Sequence, residues 1–195
     1  MLYFLIILVA MILVETASIS VSLLTNSMTL TYAIFMPIFV NFYVLVVLGI
    51  IALLMRILLP RKVWNSKKKC FKVSKKEIRF YNKLKIKEWK DKVPEMGCTS
   101  GFPKTKIRSL DKKYLWKFLE ETCYAEVMHY VVAFLGFTVL FFVNVRDYPY
   151  VFPILIVNFV LHLLPSLIQR FNRFRLLEVY ENIEKKEKGG ELTKV

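Results

Sequence analysis

Two long stretches of the chain carry no charged side chain, and they limit what it can fold into. Residues 16–55 and 148–168 contain no Asp, Glu, Lys or Arg. An α-helix needs about 20 apolar residues to cross the hydrocarbon of a bilayer. Because 56% of all residues are hydrophobic, the chain has more apolar surface than a water-soluble domain can bury. The pattern therefore predicts an integral membrane protein.

The hydropathy pattern predicts an all-α polytopic membrane bundle with four spanning helices. The predicted spans are roughly residues 2–24, 32–58, 124–145 and 148–168. The first contains Glu15 and is rich in serine near its end, so a cleaved signal peptide is the alternative. We expect a retained helix, because no Lys or Arg precedes the apolar run as a secretory signal requires.

Positive charge is concentrated in the loop between the second and third predicted spans. Of a net charge of +14, residues 61–117 contribute 20 Lys and Arg against 5 Asp and Glu. Positive loops resist translocation, so we expect a basic cytoplasmic cap at residues 60–117, a cytoplasmic tail at residues 170–195, and both termini in the cytoplasm. No internal repeat interrupts this arrangement, so we predict a single membrane domain over residues 1–195.

The basic cap favours anionic partners. Beside membrane spans the nearest polyanion is the lipid surface, so we expect anionic lipid headgroups rather than nucleic acid as its target. Phosphates of a cytosolic donor are a further candidate. Cys70, Cys98 and Cys123 are isolated from one another, so no metal site is expected.

Local patterns predict short interfacial helices within the cap. Ser74-x-x-Glu77 is a capping-box pattern that opens a helix whose Ile78 and Tyr81 can share an apolar face in the headgroup plane. A second short helix is expected over Lys87–Val93, where it presents Trp89 to the interface. A longer helix should begin near Ser109 or Asp111 and continue into the third span.

Three polar side chains share one face of that longer helix. Thr122, Glu126 and His129 are separated by four and three residues, which is helical spacing. Ionisable groups at the edge of a bilayer are costly, and they usually face a cavity or a partner. We interpret His129 as a general base and Glu126 as the group that orients its ring. The alternative is a Glu–His pair that only stabilises the helices.

The end of the fourth span carries a second polar cluster. Guanidinium groups bind phosphate, and amides hydrogen-bond sugar hydroxyls. We therefore predict substrate binding there, with Trp89 and Lys90 closing the site from the cap, whereas the alternative is positive-inside anchoring. The polar cluster consists of Gln169, Arg170, Asn172, Arg173 and Arg175. His162, deeper in the span, is expected to pack or to form an interhelical hydrogen bond.

Three blocks of the chain resemble the bacterial glycosyl-4,4'-diaponeurosporenoate acyltransferase family. They are Ile86–Pro94, Glu121–Tyr130 with its A-E-x-x-H pattern, and Pro165–Leu176 with its Q-R-F-N-R-x-R pattern. The resemblance covers roughly residues 83–176, and His162 stands where related sequences often have Asn. It implies transfer of a fatty acyl group to a sugar hydroxyl of a glycosylated carotenoid in the cell membrane.

These observations lead to a functional hypothesis and a rival. The hypothesis is an acyltransferase that moves a fatty acyl group from a thioester donor, acyl-CoA or acyl-carrier protein, to a hydroxyl of a carotenoid glycoside or other glycolipid at the cytoplasmic interface. No resident cofactor is expected, and the oligomeric state stays open. The rival is a non-enzymatic membrane subunit or lipid-binding scaffold, in which the same polar groups tie helices together.

Overall fold

The computed structural model describes residues 30–93 and 107–192, together with residues 9, 12, 13, 16, 17, 19, 20, 23 and 24. All regular structure in these segments is helical, which confirms the all-α prediction. Two helices are long and apolar enough to cross a membrane, Lys112–Phe141 and Val145–Lys188. Length and composition therefore support membrane association with fewer spans than the four predicted.

Within residues 30–93 and 107–192, six α-helices and four short helical turns follow one another. The α-helices are α1 (Leu30–Phe42), α2 (Leu48–Leu58), α3 (Lys75–Lys83), α4 (Ile86–Trp89), α5 (Lys112–Leu135) and α6 (Tyr148–Leu192). A π-helical turn, Tyr43–Val47, joins α1 to α2, and 3-10 turns occupy Arg61–Val63, Gly136–Phe141 and Val145–Asp147.

The structure tests the second predicted span but not the first. Span 2–24 lies mostly outside the described residues, and span 32–58 is divided by the π-helical turn into α1 of 13 residues and α2 of 11 residues. Pro37 lies inside α1, where it cannot donate a backbone hydrogen bond. Each α-helical piece is shorter than the roughly 20 residues that one crossing needs.

The chain forms two compact units, and the prediction of one membrane domain stays a prediction. The first unit contains residues 1–58 and 128–163. Its apolar core joins α1, the turn after α5 and the start of α6, through Met36, Val40, Val139, Val151, Ile154 and Leu155. Tyr43 Oη and Thr138 Oγ1 share a 2.6 Å hydrogen bond within this core.

Gly136 allows α6 to approach the end of α5 within the first unit. A Cβ atom added at Gly136 would lie 2.6 Å from Asn158 Nδ2. That amide donates to Val132 O at 3.3 Å. The absent side chain therefore makes room for a polar contact between the two helices.

The second unit contains residues 59–127 and 164–195. The amino-terminal half of α5 packs along the later part of α6 through Leu115, Phe118, Leu119 and Leu176. The short helices of the cap cover α6 at a second cluster formed by Val73, Tyr81, Ile86, Ile168 and Phe171. The long helix predicted from Ser109 or Asp111 is thus confirmed as α5.

The capping box at Ser74 is confirmed, and the apolar face that follows it packs on protein. Glu77 N donates to Ser74 Oγ, and Ser74 N donates to Glu77 Oε2. Tyr81 is 4% exposed and lies against the α6 cluster, with Ile78 beside it, which differs from the expected position in the headgroup plane. The second short helix is α4, which is shorter than the predicted Lys87–Val93.

Candidate functional site

The carboxylate of Glu126 is the centre of a buried ion-pair cluster in the second unit. Glu126 is 3% exposed on α5, and two arginines of α6 converge on it. Arg170 Nη1 donates to Glu126 Oε1 at 2.7 Å, and Arg173 Nη2 lies 2.5 Å from Glu126 Oε2. Because Arg170 and Arg173 are three residues apart, both lie on the same face of α6.

The guanidinium group of Arg173 is buried and hydrogen-bonded to other protein groups. Its side chain is 1% exposed and donates to Thr122 Oγ1 at 3.1 Å, Thr122 O at 2.8 Å and Phe71 O at 3.1 Å. These bonds tie α6 to α5 and to the loop before α3. Burying a guanidinium group is tolerated here because its donors and its charge are satisfied together.

Arg170 connects the same cluster to the cap. Its Nε donates to Glu77 Oε1 at 3.0 Å, and its Nη1 donates to Cys70 O at 3.3 Å. One guanidinium therefore joins Glu126 of α5 to Glu77 of α3. Burial of the Glu77 carboxyl opposes ionisation, but the Ser74 backbone N–H and the Arg170 charge outweigh it and lower the pKa of Glu77.

The other three members of the predicted polar cluster on α6 do not take part in this ion-pair network. Among the described residues, Gln169, Asn172 and Arg175 form no side-chain hydrogen bond or ion pair; Arg175 only lies over the Phe171 ring at 5.9 Å. At about 100° per residue, these three positions cover one face of α6, next to the face that carries Arg170 and Arg173.

His129 is paired with His162 in the first unit. The two Nδ1 atoms lie 3.1 Å apart and the ring centroids 5.4 Å apart. One Nδ1 must carry a proton and the other must accept it, so the contact fixes complementary tautomers. The interhelical hydrogen bond expected for His162 is therefore present, and its partner is His129.

The face predicted for Thr122, Glu126 and His129 lies on one continuous helix, because α5 runs from Lys112 to Leu135. The contacts of these residues divide between different partners. Thr122 and Glu126 bind arginines of α6, whereas His129 binds His162. The role assigned to Glu126 as orienter of His129 stays a prediction.

Trp89 and Lys90 lie in the cap, and Trp89 packs against the apolar cluster that contains Ile168 and Phe171. Trp89 is half-buried there and its Nε1 donates to Leu84 O at 2.9 Å. Lys90 is 8% exposed and its Nζ lies 2.7 Å from Asp91 Oδ1. Their predicted contact with a substrate stays a prediction.

Sequence reasoning missed two partners of the predicted site. Glu77 was recognised only as a capping residue, although it also pairs with Arg170 at 2.8 Å. The sequence did not identify His129 as the partner of His162, although the chain has only 2 His, both on apolar segments. The position of both histidines on apolar segments was the sequence signal for their pairing. In the described part of the chain, no group of three or more His, Cys, Asp or Glu side chains is placed to hold a metal ion.

A comparison with known families identifies a match over the whole cap, all of α5 and most of α6. Residues 60–182 match the model of the CrtO family, described as glycosyl-4,4'-diaponeurosporenoate acyltransferase. The matched segment contains every predicted site residue. No curated protein and no solved structure matches the chain.

Proposed function

The chain belongs to the glycosyl-4,4'-diaponeurosporenoate acyltransferase family, and from this premise we propose which acyl transfer it performs and with which residues. Membership of this family makes the chain an acyltransferase. The scaffold hypothesis is accordingly the weaker of the two. We propose that the acyl group passes from a thioester donor to a sugar hydroxyl of a membrane glycolipid, with a glycosylated carotenoid as the first acceptor to test.

The single observation that carries the proposal is the 3.1 Å contact between His129 Nδ1 and His162 Nδ1. When His129 Nδ1 carries the proton and donates to His162, the basic lone pair of His129 is on Nε2. A base in that tautomer can accept a proton from a hydroxyl group. His162 then has the orienting role that a triad carboxylate has in serine hydrolases.

The proposed reaction needs no acyl-enzyme. His129 Nε2 takes the proton of the acceptor hydroxyl while the hydroxyl oxygen attacks the thioester carbonyl carbon. The carbon–sulfur bond then breaks, and the departing thiolate takes the proton from the His129 imidazolium. The new ester stays on the sugar and the free thiol returns to the cytoplasm.

Different polar groups have different roles in the proposal. Gln169, Asn172 and Arg175 bind the sugar or other polar parts of a substrate, because their hydrogen-bonding groups are not used by protein among the described residues. Arg170 and Arg173, which the sequence assigned to substrate, act with Glu126 as the clamp that fixes α6 against α5. Glu126 in this proposal is a positioning residue.

The membrane topology completes the proposal. We propose four crossings, of which the second is the unbroken helical run of residues 30–58 with its π-helical turn. A cap and a carboxy-terminal tail lie on the cytoplasmic side, and both termini lie in the cytoplasm of a bacterial cell membrane. The basic cap supports this orientation through the excess of Lys and Arg at residues 61–117. Anionic lipid headgroups are the proposed partners of its exposed lysines.

The test is acyl transfer by purified protein in lipid vesicles. Glycosyl-4,4'-diaponeurosporenoate and a glycosyl diacylglycerol serve as alternative acceptors, and mass spectrometry detects the acylated product. We expect His129→Gln to lower kcat by about 10²-fold or more, since a positioned base contributes about 10²–10⁴-fold. His162→Gln should lower kcat less, because His129 stays in place.

Tyr43→Phe is the matched control, since it also removes one hydrogen bond inside the first unit but no imidazole. Its activity should stay within about twofold of wild type, as expected for a change that touches no reacting group. If His129→Gln retains the activity of Tyr43→Phe, the proposed base is wrong. If neither acceptor is acylated by the wild-type protein with any thioester donor, the proposed substrate class is wrong.

A further inference from the structure

An open cleft in the second unit is lined by none of the residues of the proposed chemistry. It has a volume of about 800 Å³, which is within the usual size range of small-molecule sites. Its positive groups are Lys67, Lys112, Lys113 and Lys117, and its aromatic groups are Tyr114, Trp116 and Tyr180. Lysines and aromatic rings thus share one concave surface.

The aromatic part of the cleft is held in a defined geometry. The Trp116 and Tyr180 ring centroids are 5.5 Å apart with an interplanar angle of 50°. Trp116 Nε1 donates to Glu120 Oε1 at 2.9 Å, which fixes the indole ring. Lys67 Nζ lies 5.6 Å from the Trp116 centroid and 5.7 Å from the Tyr180 centroid, so one cation is held over both rings.

The cleft keeps an excess of positive charge after its ion pairs are counted. Lys112 pairs with Glu187, and Glu184 pairs with Lys188 at 3.3 Å. In the part of the chain that the structure describes, Lys67, Lys113 and Lys117 form no ion pair. Three ammonium groups are therefore available to an anion beside fixed aromatic rings.

A ligand that satisfies both halves of the cleft needs a flat ring and several phosphates. Rings stack on aromatic side chains whatever their identity, and ammonium groups bind phosphate oxygens as point charges. We propose that this cleft binds the phosphorylated nucleotide end of a coenzyme A thioester, and so makes coenzyme A the donor carrier. This inference rests on the proposed function, because it names the donor of that reaction.

An acidic carrier protein is the alternative donor, and the cleft suits it less well. A specific protein partner covers about 800 Å² of surface on each side. The carboxylates of an acidic carrier protein do not stack on an indole ring. The concave shape and the orientation of Trp116 favour a small molecule with an aromatic group.

The test measures binding without turnover. Equilibrium dialysis with radiolabelled coenzyme A is done on full-length protein in phosphatidylcholine vesicles, with adenosine 3',5'-bisphosphate and phosphopantetheine as competitors. We expect adenosine 3',5'-bisphosphate to displace coenzyme A and phosphopantetheine to compete poorly. Lys113→Gln combined with Lys117→Gln should weaken binding about tenfold, because two phosphate contacts are lost.

The matched control is Lys75→Gln combined with Lys76→Gln, which removes the same charge from exposed positions on α3. Its affinity for coenzyme A should stay within about twofold of wild type, since distant exposed charges are screened by salt. Equal weakening by both double variants would mean that diffuse charge, and not the cleft, attracts the ligand. Failure of adenosine 3',5'-bisphosphate to compete would overturn the proposal as well.

Two outcomes separate this inference from the proposed function. If coenzyme A binds in competition with the nucleotide but no glycolipid is acylated, the cleft is correct and the proposed function is wrong. If acyl transfer proceeds from an acyl-carrier-protein thioester and coenzyme A does not bind, the function is correct and the nucleotide cleft is wrong.

Discussion

Replacing Glu126 with Gln removes the negative charge on which two arginines converge. The substitution keeps the size of the side chain and changes only its charge and hydrogen-bonding pattern. Arg173 is 1% exposed and has Glu126 as its charged partner, whereas Arg170 also pairs with Glu77. The main effect is therefore an uncompensated buried charge on Arg173.

The magnitude follows from the burial of this pair. Removing one partner of a buried ion pair destabilises a protein by about 3–5 kcal/mol. Arg173 retains hydrogen bonds to Thr122 and Phe71, so we expect the lower end, about 3 kcal/mol. Glu77→Gln breaks a more exposed pair and leaves Arg170 with Glu126, and it should destabilise by about 1 kcal/mol or less.

Cys123 provides a local assay for this effect. It follows Thr122 on α5 and is 0% exposed, so it reacts with a thiol reagent only when the second unit opens. With Cys70 and Cys98 replaced by Ser, Cys123 is the only thiol in the sequence. A loss of about 3 kcal/mol should raise its labelling rate about 100-fold, since about 1.4 kcal/mol corresponds to tenfold.

Glu77→Gln serves as the control and should raise the rate about fivefold or less. If Glu126→Gln labels Cys123 no faster than Glu77→Gln, the ion-pair cluster does not hold α5 and α6 together. The role of Arg173 as a clamp would then be wrong, and its guanidinium would have to be reconsidered as a substrate group.

Three further predictions concern stability. Gly136→Ala should destabilise by about 1–3 kcal/mol, because the new methyl group displaces Asn158 from Val132 O; thermal unfolding should show a smaller loss when Asn158 is Ala. Ser74→Ala should destabilise by about 1 kcal/mol through loss of the cap of α3, measured in the same way. Because the pKa of Glu77 is lowered in the folded state, its carboxylate contributes stability that is present above pH 4.5 and is lost as the pH falls through the folded pKa. Acidification from about pH 5 to about pH 3 should therefore lower the unfolding temperature more in wild type than in Glu77→Gln.

Local sequence signals predicted the helices of the cap well. Ser74 and Glu77 stand at capping-box spacing, and both hydrogen bonds of the box are present. The apolar face of α3 was also expected, but its partner was not, because an amphipathic pattern does not distinguish lipid from another helix. Tyr81 packs against Ile168 and Phe171, which are 87 and 90 residues away in the sequence.

Side-chain pairing between distant segments was the part that the sequence did not reveal. Spacing along α5 placed Glu126 and His129 on one face and favoured a contact between them. Arg170, Arg173 and His162 belong to α6, and each pairs with α5 through packing that no local pattern encodes. The chemical types at the site were therefore predictable, whereas their partners required the tertiary structure.

The tertiary structure divides the Gln-Arg-x-Asn-Arg-x-Arg segment of α6 into two faces with different partners. Arg170 and Arg173 lie on the face that is bound to α5 and the cap. Gln169, Asn172 and Arg175 lie on the neighbouring face, and their side chains form no hydrogen bond with the described residues. A motif that resembles one binding cluster in the sequence thus combines a structural pair with three polar groups whose side chains form no hydrogen bond among the described residues.

We expect the two faces to respond differently to substitution. Asn172→Ala should raise the KM for the glycosylated acceptor about tenfold, because a lost hydrogen bond to a sugar hydroxyl weakens binding by about 1.4 kcal/mol. Its Cys123 labelling rate should stay within about threefold of wild type, since no protein hydrogen bond is lost. Arg173→Lys should instead raise the labelling rate, because an ammonium group cannot reach Thr122, Phe71 and Glu126 together. If Asn172→Ala leaves the KM unchanged, or if it labels Cys123 as fast as Arg173→Lys does, the assignment of the second face to substrate is wrong.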